Sequence, residues 1–112
     1  VLVGAIVLTM IGTTARAQWP TDPATPLVVA DRSGPQVQPK ITSISDGGFY
    51  ISWFDSSTGG YDVYLQRLDA GGNEMWPHDG VLVADRGFSS TQDYGLSVDI
   101  MGNALLAFRD DS

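Results

Sequence analysis

The hydrophobic pattern divides the chain into two parts. Residues 1–11 form an apolar run that only Gly4 and Thr9 interrupt, and small and polar residues follow it up to Ala15-Arg16-Ala17. A short apolar run before an A-x-A motif is typical of a secretory signal peptide, whereas a transmembrane helix needs about 20 apolar residues. We therefore interpret residues 1–17 as a signal peptide and expect a protein that is secreted or displayed at the cell surface.

Short alternating segments follow and predict β-strands. Residues 61–68 alternate between apolar and polar side chains, and residues 49–54 are aromatic or β-branched except for Ser52. Turn-forming stretches rich in Gly, Ser and Asp separate these segments. Further strands are predicted at residues 40–44, 74–76 with 81–84, and 95–99. Because no segment of ten or more residues past residue 17 has helical apolar spacing and a cap, the sequence predicts an all-β fold.

The strand at residues 49–54 is apolar or aromatic on both of its faces. Phe49, Ile51 and Trp53 alternate with Tyr50, Ser52 and Phe54. A sheet that is apolar on both sides must be covered on both sides. Without predicted helices, the covering layers are expected to be other sheets, and radially stacked four-stranded sheets form a β-propeller.

Parts of the chain recur at a spacing of about 55 residues. The sequence Leu-Val-Val-Ala-Asp-Arg at 27–32 returns as Val-Leu-Val-Ala-Asp-Arg at 81–86, each time after a Trp-Pro pair. Residues 47–57 align with residues 102–112 at an offset of 55. A period of this size indicates stacked supersecondary units.

The repeat predicts how the chain is organised. Residues 40–94 form one complete four-stranded unit, and residues 95–112 begin a truncated second unit. Residues 18–39 form an N-terminal segment whose part 27–32 matches the last strand of a unit. Four such units would need 220 residues, so we expect the chain to be a fragment whose N-terminal strand completes the final blade of a ring. Further repeats of the same protein are then its first partners.

The unit carries a recurring block of motifs. Asp46-Gly47-Gly48 precedes Trp53 and Asp55, and a block D-V-Y-L-Q-R-L-D at residues 62–69 leads to Trp76. This block resembles the repeat of large secreted bacterial propeller-like proteins. The resemblance implies a non-catalytic extracellular repeat domain, and it carries over no catalytic residue. In the second copy, Phe108 occupies the place of Trp53 and Asn103 that of Gly48.

Several positions are predicted to serve the architecture of each unit. Asp55 and its counterpart Asp110 are expected to cap backbone N–H groups where a strand enters its loop. Tryptophans and other aromatic residues at strand spacing are expected in the core, although aromatic rings can also stack on sugars. The repeated Ala-Asp-Arg is expected to be structural, with a ligand-facing role as the alternative. The predicted structural positions are Trp53, Asp55, Trp76, Asp85, Arg86, Phe108 and Asp110.

Composition narrows the possible chemistry. A formal net charge of −7 disfavours nucleic acid and anionic membranes as partners, and without cysteine the chain has no disulfide, thiolate metal site or thiol nucleophile. A secreted protein without disulfides is more typical of a bacterium than of an animal. The acids Asp55, Asp62 and Asp69, with Asp110 and Asp111, could be glycosidase carboxylates or calcium ligands, but no calcium-loop motif is present. We therefore expect no cofactor and no metal.

His78 is the only histidine and would have to be the base of any Ser-His-Asp triad. Ser89 or Ser90 with Asp79 or Asp93 would complete it. No nucleophile-elbow motif accompanies His78, which lies in the turn-forming sequence Trp-Pro-His-Asp-Gly, so we interpret it as an exposed turn residue.

Two functions remain open. The first is a secreted, non-enzymatic propeller-type repeat domain for adhesion, surface display or binding of an extracellular ligand, either glycan or protein. The alternative is the N-terminal part of a sialidase-like propeller that hydrolyses glycans. Sialidase-like propellers carry an S-x-D-x-G-x-x-W turn, and the nearest sequence here, residues 69–76, lacks the leading Ser.

Overall fold

The computed structural model describes residue 4 and residues 19–109, and this part of the chain contains six β-strands and no helix. The predicted all-β class is therefore confirmed for these residues. None of the described residues forms a helix that could cross a membrane. The strands are β1 (Gln36–Ser43), β2 (Phe49–Asp55), β3 (Tyr61–Leu68), β4 (Val81–Phe88), β5 (Tyr94–Val98) and β6 (Ala104–Phe108).

The strands form two sheets. The first has four antiparallel strands in the order β1-β2-β3-β4, as predicted for one unit, and the second is the antiparallel hairpin β5-β6. The predicted bounds of β3 agree with the structure, but β1 begins at Gln36 rather than Lys40. A register shift between Val37 and Lys40, with Gln38 at a φ of 51°, lets this edge strand continue past Pro39, which has no N–H for the ladder.

The fourth strand and the N-terminal segment differ from the prediction. Glu74 makes only an isolated bridge to Leu68, and the continuous strand runs from Val81 to Phe88. Residues 27–32, whose sequence matches this strand, form no strand at all. The two segments differ because only one has a strand to pair with. The edge of β3 is available to Val81–Phe88, whereas no strand precedes residues 27–32 in the described part of the chain.

One turn geometry occurs three times, at residues 44–48, 69–73 and 99–103. In each, the first residue donates its N–H to the carbonyl of the fifth, and the fourth donates to the carbonyl of the first. The fourth residue is always a glycine, with φ between 81° and 89°, a region that residues with a side chain rarely adopt. These turns join β1 to β2 and β5 to β6 in the same way, and the one at 69–73 follows β3.

The β5-β6 hairpin packs on one face of the four-stranded sheet, here called the hairpin face. The Tyr94 hydroxyl donates a hydrogen bond to the Gln38 carbonyl (2.9 Å) and lies 2.9 Å from Ser52 Oγ. Because its single proton serves the carbonyl, Ser52 is the donor in the second bond. Burial raises the pKa of Tyr94, which keeps this proton in place. The buried residues at this interface are Phe54, Val63, Phe88 and Tyr94 in one cluster and Ile44, Tyr50 and Leu65 in another.

The opposite, N-terminal face of the sheet is covered by the segment that precedes β1. The Trp19 ring meets Phe49 edge to face at 5.8 Å, and its Nε1 donates to the Ala70 carbonyl at 2.9 Å. Farther along, the Arg32 guanidinium lies 4.3 Å from the centre of the Tyr64 ring. The sheet is thus covered on both sides as predicted, but on this side the cover is a segment without strands.

Candidate functional site

An apolar cavity lies on the N-terminal face of the sheet and is the strongest candidate site among the described residues. Its volume is about 210 Å³. One wall belongs to the N-terminal segment and the other walls to β1 and β2. A space of this size holds a small apolar group, since an engineered cavity of roughly 150 Å³ in another protein binds benzene. The lining residues are Val29, Ala30, Gln36, Pro39, Ile51 and Trp53.

Trp53 is the largest side chain of this site and is buried, as predicted, with 3% of its surface exposed. Its ring is stacked on Tyr64 of the neighbouring strand, with centroids 6.2 Å apart and planes inclined by 17°. Gly80 lies so close to the indole that a Cβ on residue 80 would be 2.9 Å from Trp53 Cη2. The indole Nε1 makes no well-formed hydrogen bond among the described residues, but it lies near enough to Asp55 to help lower the pKa of that carboxyl.

Asp55 is buried at the end of β2 and caps the loop that follows, as predicted. Its Oδ1 accepts the Ser57 N–H at 2.9 Å, and its Oδ2 accepts from Gln36 Nε2 at 3.4 Å. Burial alone would raise the pKa of Asp55, but hydrogen bonds from Ser57 hold that pKa below its usual value. The carboxylate thereby joins the ends of β1 and β2 to their loop.

Asp62 faces Asp55 across the β2-β3 ladder and is also buried. Its Oδ2 accepts from Thr58 Oγ1 at 2.5 Å, and its Oδ1 accepts the Gly87 N–H at 3.4 Å. The two carboxylates therefore connect all four strands of the sheet, and each has hydrogen-bond partners of its own. This use of both acids supports an architectural role over that of a glycosidase pair.

Gln66 holds the Trp-Pro loop against β3. Its Nε2 donates to the carbonyls of Pro77 (2.9 Å) and Trp76 (3.3 Å), while its Oε1 accepts the N–H groups of Trp76 (3.3 Å) and Arg67 (2.9 Å). The Trp76 ring is half-buried, and its centroid lies 6.0 Å from that of the Tyr50 ring. Trp76 therefore contributes to the core, as predicted. Gln66 is fully buried, and these four bonds satisfy an amide that would otherwise be costly there.

A polar cluster lies where the N-terminal segment meets the Trp-Pro loop. The Asp31 N–H donates to Asp79 Oδ1 at 2.8 Å, and Arg32 Nε lies 3.7 Å from Asp79 Oδ2. His78 bridges the segment and the loop, with Nε2 3.3 Å from Asp31 Oδ1 and Nδ1 2.9 Å from Glu74 Oε1. His78 is half exposed in its turn, in line with the prediction, but it is held between two carboxylates.

Asp31, His78 and Asp79 each bring one potential ligand atom within 4.8 Å of the others. A cation could use such a spacing, yet these atoms already have partners: Asp79 accepts from Asp31 and pairs with Arg32, and His78 pairs with Asp31 and Glu74. We therefore assign them to an ion-pair cluster. Ser89 was a candidate nucleophile for a triad with His78. Its hydroxyl forms a hydrogen bond with Thr91 Oγ1 at 2.9 Å, in the loop before β5.

The remaining predicted positions are not brought together at one place. Asp85 and Arg86 lie exposed in β4, in surroundings different from those of their counterparts at 31 and 32. Phe108 is half-buried and packs edge to face on Phe88, with centroids 5.1 Å apart. Asp110 lies outside the described residues, as does the predicted signal peptide apart from residue 4.

Gln66 and Asn73 hold this site but were not singled out from the sequence, and Asp69 was considered only as a candidate glycosidase carboxylate or calcium ligand. Gln66 gives a local signal, because an amide within a strand of apolar and aromatic residues must find partners if it is buried. Asp69 and Asn73 give another, since the pattern D-x-x-G-N recurs at residues 99–103 with the same hydrogen bonds.

No family model, curated protein or solved structure matches this chain. The resemblance to propeller repeats therefore depends on the motifs in the sequence.

Proposed function

We propose that the chain is part of a secreted, non-enzymatic propeller-type repeat protein, in which successive four-stranded units form a scaffold for ligand binding, adhesion or surface display. The observation that carries the proposal is a similarity in packing between the two copies: each repeated Trp lies in the same packed region as the residue that begins a second strand. Trp19 packs on Phe49, the first residue of β2. Trp76, its counterpart, packs in the cluster that also contains Ala104, the first residue of β6.

The repeated segments that contain Ala-Asp-Arg support the same arrangement. Residues of the 27–32 copy and of β2 line the cavity on the N-terminal face, and the aligned residues of β4 and β6 surround one core cluster on the hairpin face. Each unit thus places its Trp-Pro and Ala-Asp-Arg segments against the first two strands of the next. Repeating one such step generates radially stacked sheets. The aligned sets are Ala30, Ile51 and Trp53 on one face and Ala84, Leu106 and Phe108 on the other.

A scaffold role also agrees with how the acidic residues are used. Asp55 and Asp62 accept hydrogen bonds from the loops that they adjoin, and Asp69 accepts from Gly71 and Asn73 in its own turn. These acids were the candidates for a glycosidase pair. Their hydrogen bonds favour the scaffold over the sialidase-like alternative.

Extending the chain tests the stacking of units. A copy of residues 58–94 added after Ser112 would supply the third and fourth strands of the second unit. We expect residues 18–112 made alone to aggregate or to unfold with poor cooperativity, because β6, which carries Leu105 and Leu106, pairs only with β5 within residues 19–109 and leaves its other edge open. The extended chain should unfold sharply as a monomer.

The matched control for this experiment adds the same 37 residues with the segment copied from 61–68 shuffled, which keeps length and composition. A sharp, reversible monomeric transition of residues 18–112 that the extension leaves unchanged would contradict the stacking of units. Turnover of a fluorogenic sialoside by either chain would contradict the non-enzymatic function and favour the alternative.

A further inference from the structure

Residues 27–32, here called the strap, cover the N-terminal face of the sheet without belonging to it. Val29 and Ala30 form one wall of the apolar cavity, and Arg32 lies over the ring of Tyr64. The strap makes no strand pairing, so its attachment is carried by its side chains, by the bond from the Asp31 N–H and by the bond that the Arg32 carbonyl accepts from Gln36 Nε2 at 3.0 Å. An attachment of this kind depends on the protonation state of a few polar side chains.

His78 is the group through which the strap is joined to the Trp-Pro loop. Both of its ring nitrogens face carboxylates, Nε2 toward Asp31 of the strap and Nδ1 toward Glu74 of the loop. A neutral imidazole carries one N–H and can donate to only one of them, whereas the doubly protonated ring donates to both. The contact to Asp31 and the contact to Glu74 are therefore satisfied together only in the protonated state.

We propose that the strap is a pH-controlled cover of the apolar cavity, closed while His78 is protonated and loosened when His78 is neutral. The charged groups around the ring are three carboxylates and one cation: Asp31 and Arg32 from the strap, and Glu74 and Asp79 from the loop. Loss of the imidazolium leaves Arg32 as the cation facing three negative charges. The strap then loses one attachment to the loop and gains repulsion between Asp31 and its acidic neighbours.

The direction of the pH dependence follows from the surroundings of the ring. The hydrogen bond to Glu74 raises the pKa of His78 above its usual 6.5, against a smaller opposing effect of burial. A group whose pKa is raised by folding stabilises the folded contact fully below its unfolded value and loses that contribution as pH rises through the folded value. The strap is therefore expected to be closed in mildly acidic solution and looser in mildly alkaline solution.

Hydrogen exchange of the 112-residue chain at low micromolar concentration tests this proposal. Exchange of the peptide covering residues 27–35 is followed by mass spectrometry at pH 5.5 and 8.5 and expressed as a protection factor, which removes the intrinsic effect of pH. We expect protection to fall about two- to fivefold at the higher pH, the effect of losing one half-exposed ion pair. In His78→Gln, protection should be low and equal at both pH values.

Two further variants distinguish the His78–Asp31 contact from general effects of charge. Asp31→Asn keeps His78 and should reduce the pH step, whereas Asp93→Asn removes the Lys40 ion pair at the hairpin face and should leave it intact. Peptides from β3 report in every variant whether the sheet is folded. A flat wild-type profile, or a pH step that persists in both His78→Gln and Asp31→Asn, would overturn the proposal.

Discussion

Replacing Trp53 tests how strongly the N-terminal face contributes to stability. Trp53 is 3% exposed, stacks on Tyr64 and contacts Gly80, so Trp53→Ala removes a large buried ring from between two layers. Deleting a buried Trp usually costs about 3 to 5 kcal/mol of unfolding free energy. We expect the lower part of this range, because the strap is not bound into a strand ladder and can move into part of the space.

Two other substitutions make this expectation specific. Trp53→Phe should cost about 1 kcal/mol, because it keeps an aromatic ring and loses only a weak interaction between the indole Nε1 and Asp55. Phe108 occupies the aligned position in the second copy. Asp55→Ala should also cost about 1 kcal/mol, the usual effect of losing a side chain that caps backbone N–H groups.

The assay is urea unfolding of the 112-residue chain, followed by far-ultraviolet circular dichroism at low micromolar concentration so that association does not compete. Circular dichroism is preferred to fluorescence because the substitution removes one of three tryptophans. The unfolding midpoint should fall in the order wild type, Trp53→Phe, Trp53→Ala. If Trp53→Ala unfolds at the same midpoint as the wild type, the assignment of Trp53 to a packed face is wrong.

Three further expectations concern acid stability, export and metal binding. Hydrogen bonds from the Asn73 and Asn103 side chains hold the pKa values of Asp69 and Asp99 below the usual 3.8, so their stabilisation is present above that value and lost as pH falls through the folded pKa. Urea midpoints between about pH 5 and 2 should therefore fall less steeply in the double variant Asp69→Asn, Asp99→Asn, and an unchanged slope would argue against these caps. N-terminal sequencing of protein exported from a bacterial host should begin at Gln18; retention of residues 1–17 would contradict a cleaved signal peptide. Calorimetric titration with calcium should show no submicromolar binding, because the acids lie in separate turns, and tight binding would refute this expectation.

Local features of the sequence predicted what depends on neighbouring residues. The bounds of β3 follow from its alternation, and the turn at 44–48 follows from Asp46-Gly47-Gly48, because a glycine at positive φ determines a tight hairpin. The two-sided hydrophobicity of β2 likewise predicted that both faces of the sheet would be covered. The capping by Asp55 is equally local, since its main partner is two residues away.

Tertiary structure alone decided what depends on distant partners. Residues 27–32 and 81–86 have nearly the same sequence, yet only the second copy is part of a strand, because β3 pairs with it. His78 reads in sequence as a turn residue, and its position between Asp31 and Glu74 arises only when the strap folds back across the sheet. Contacts between groups 47 residues apart depend on how whole layers pack, which the local pattern of side chains does not encode.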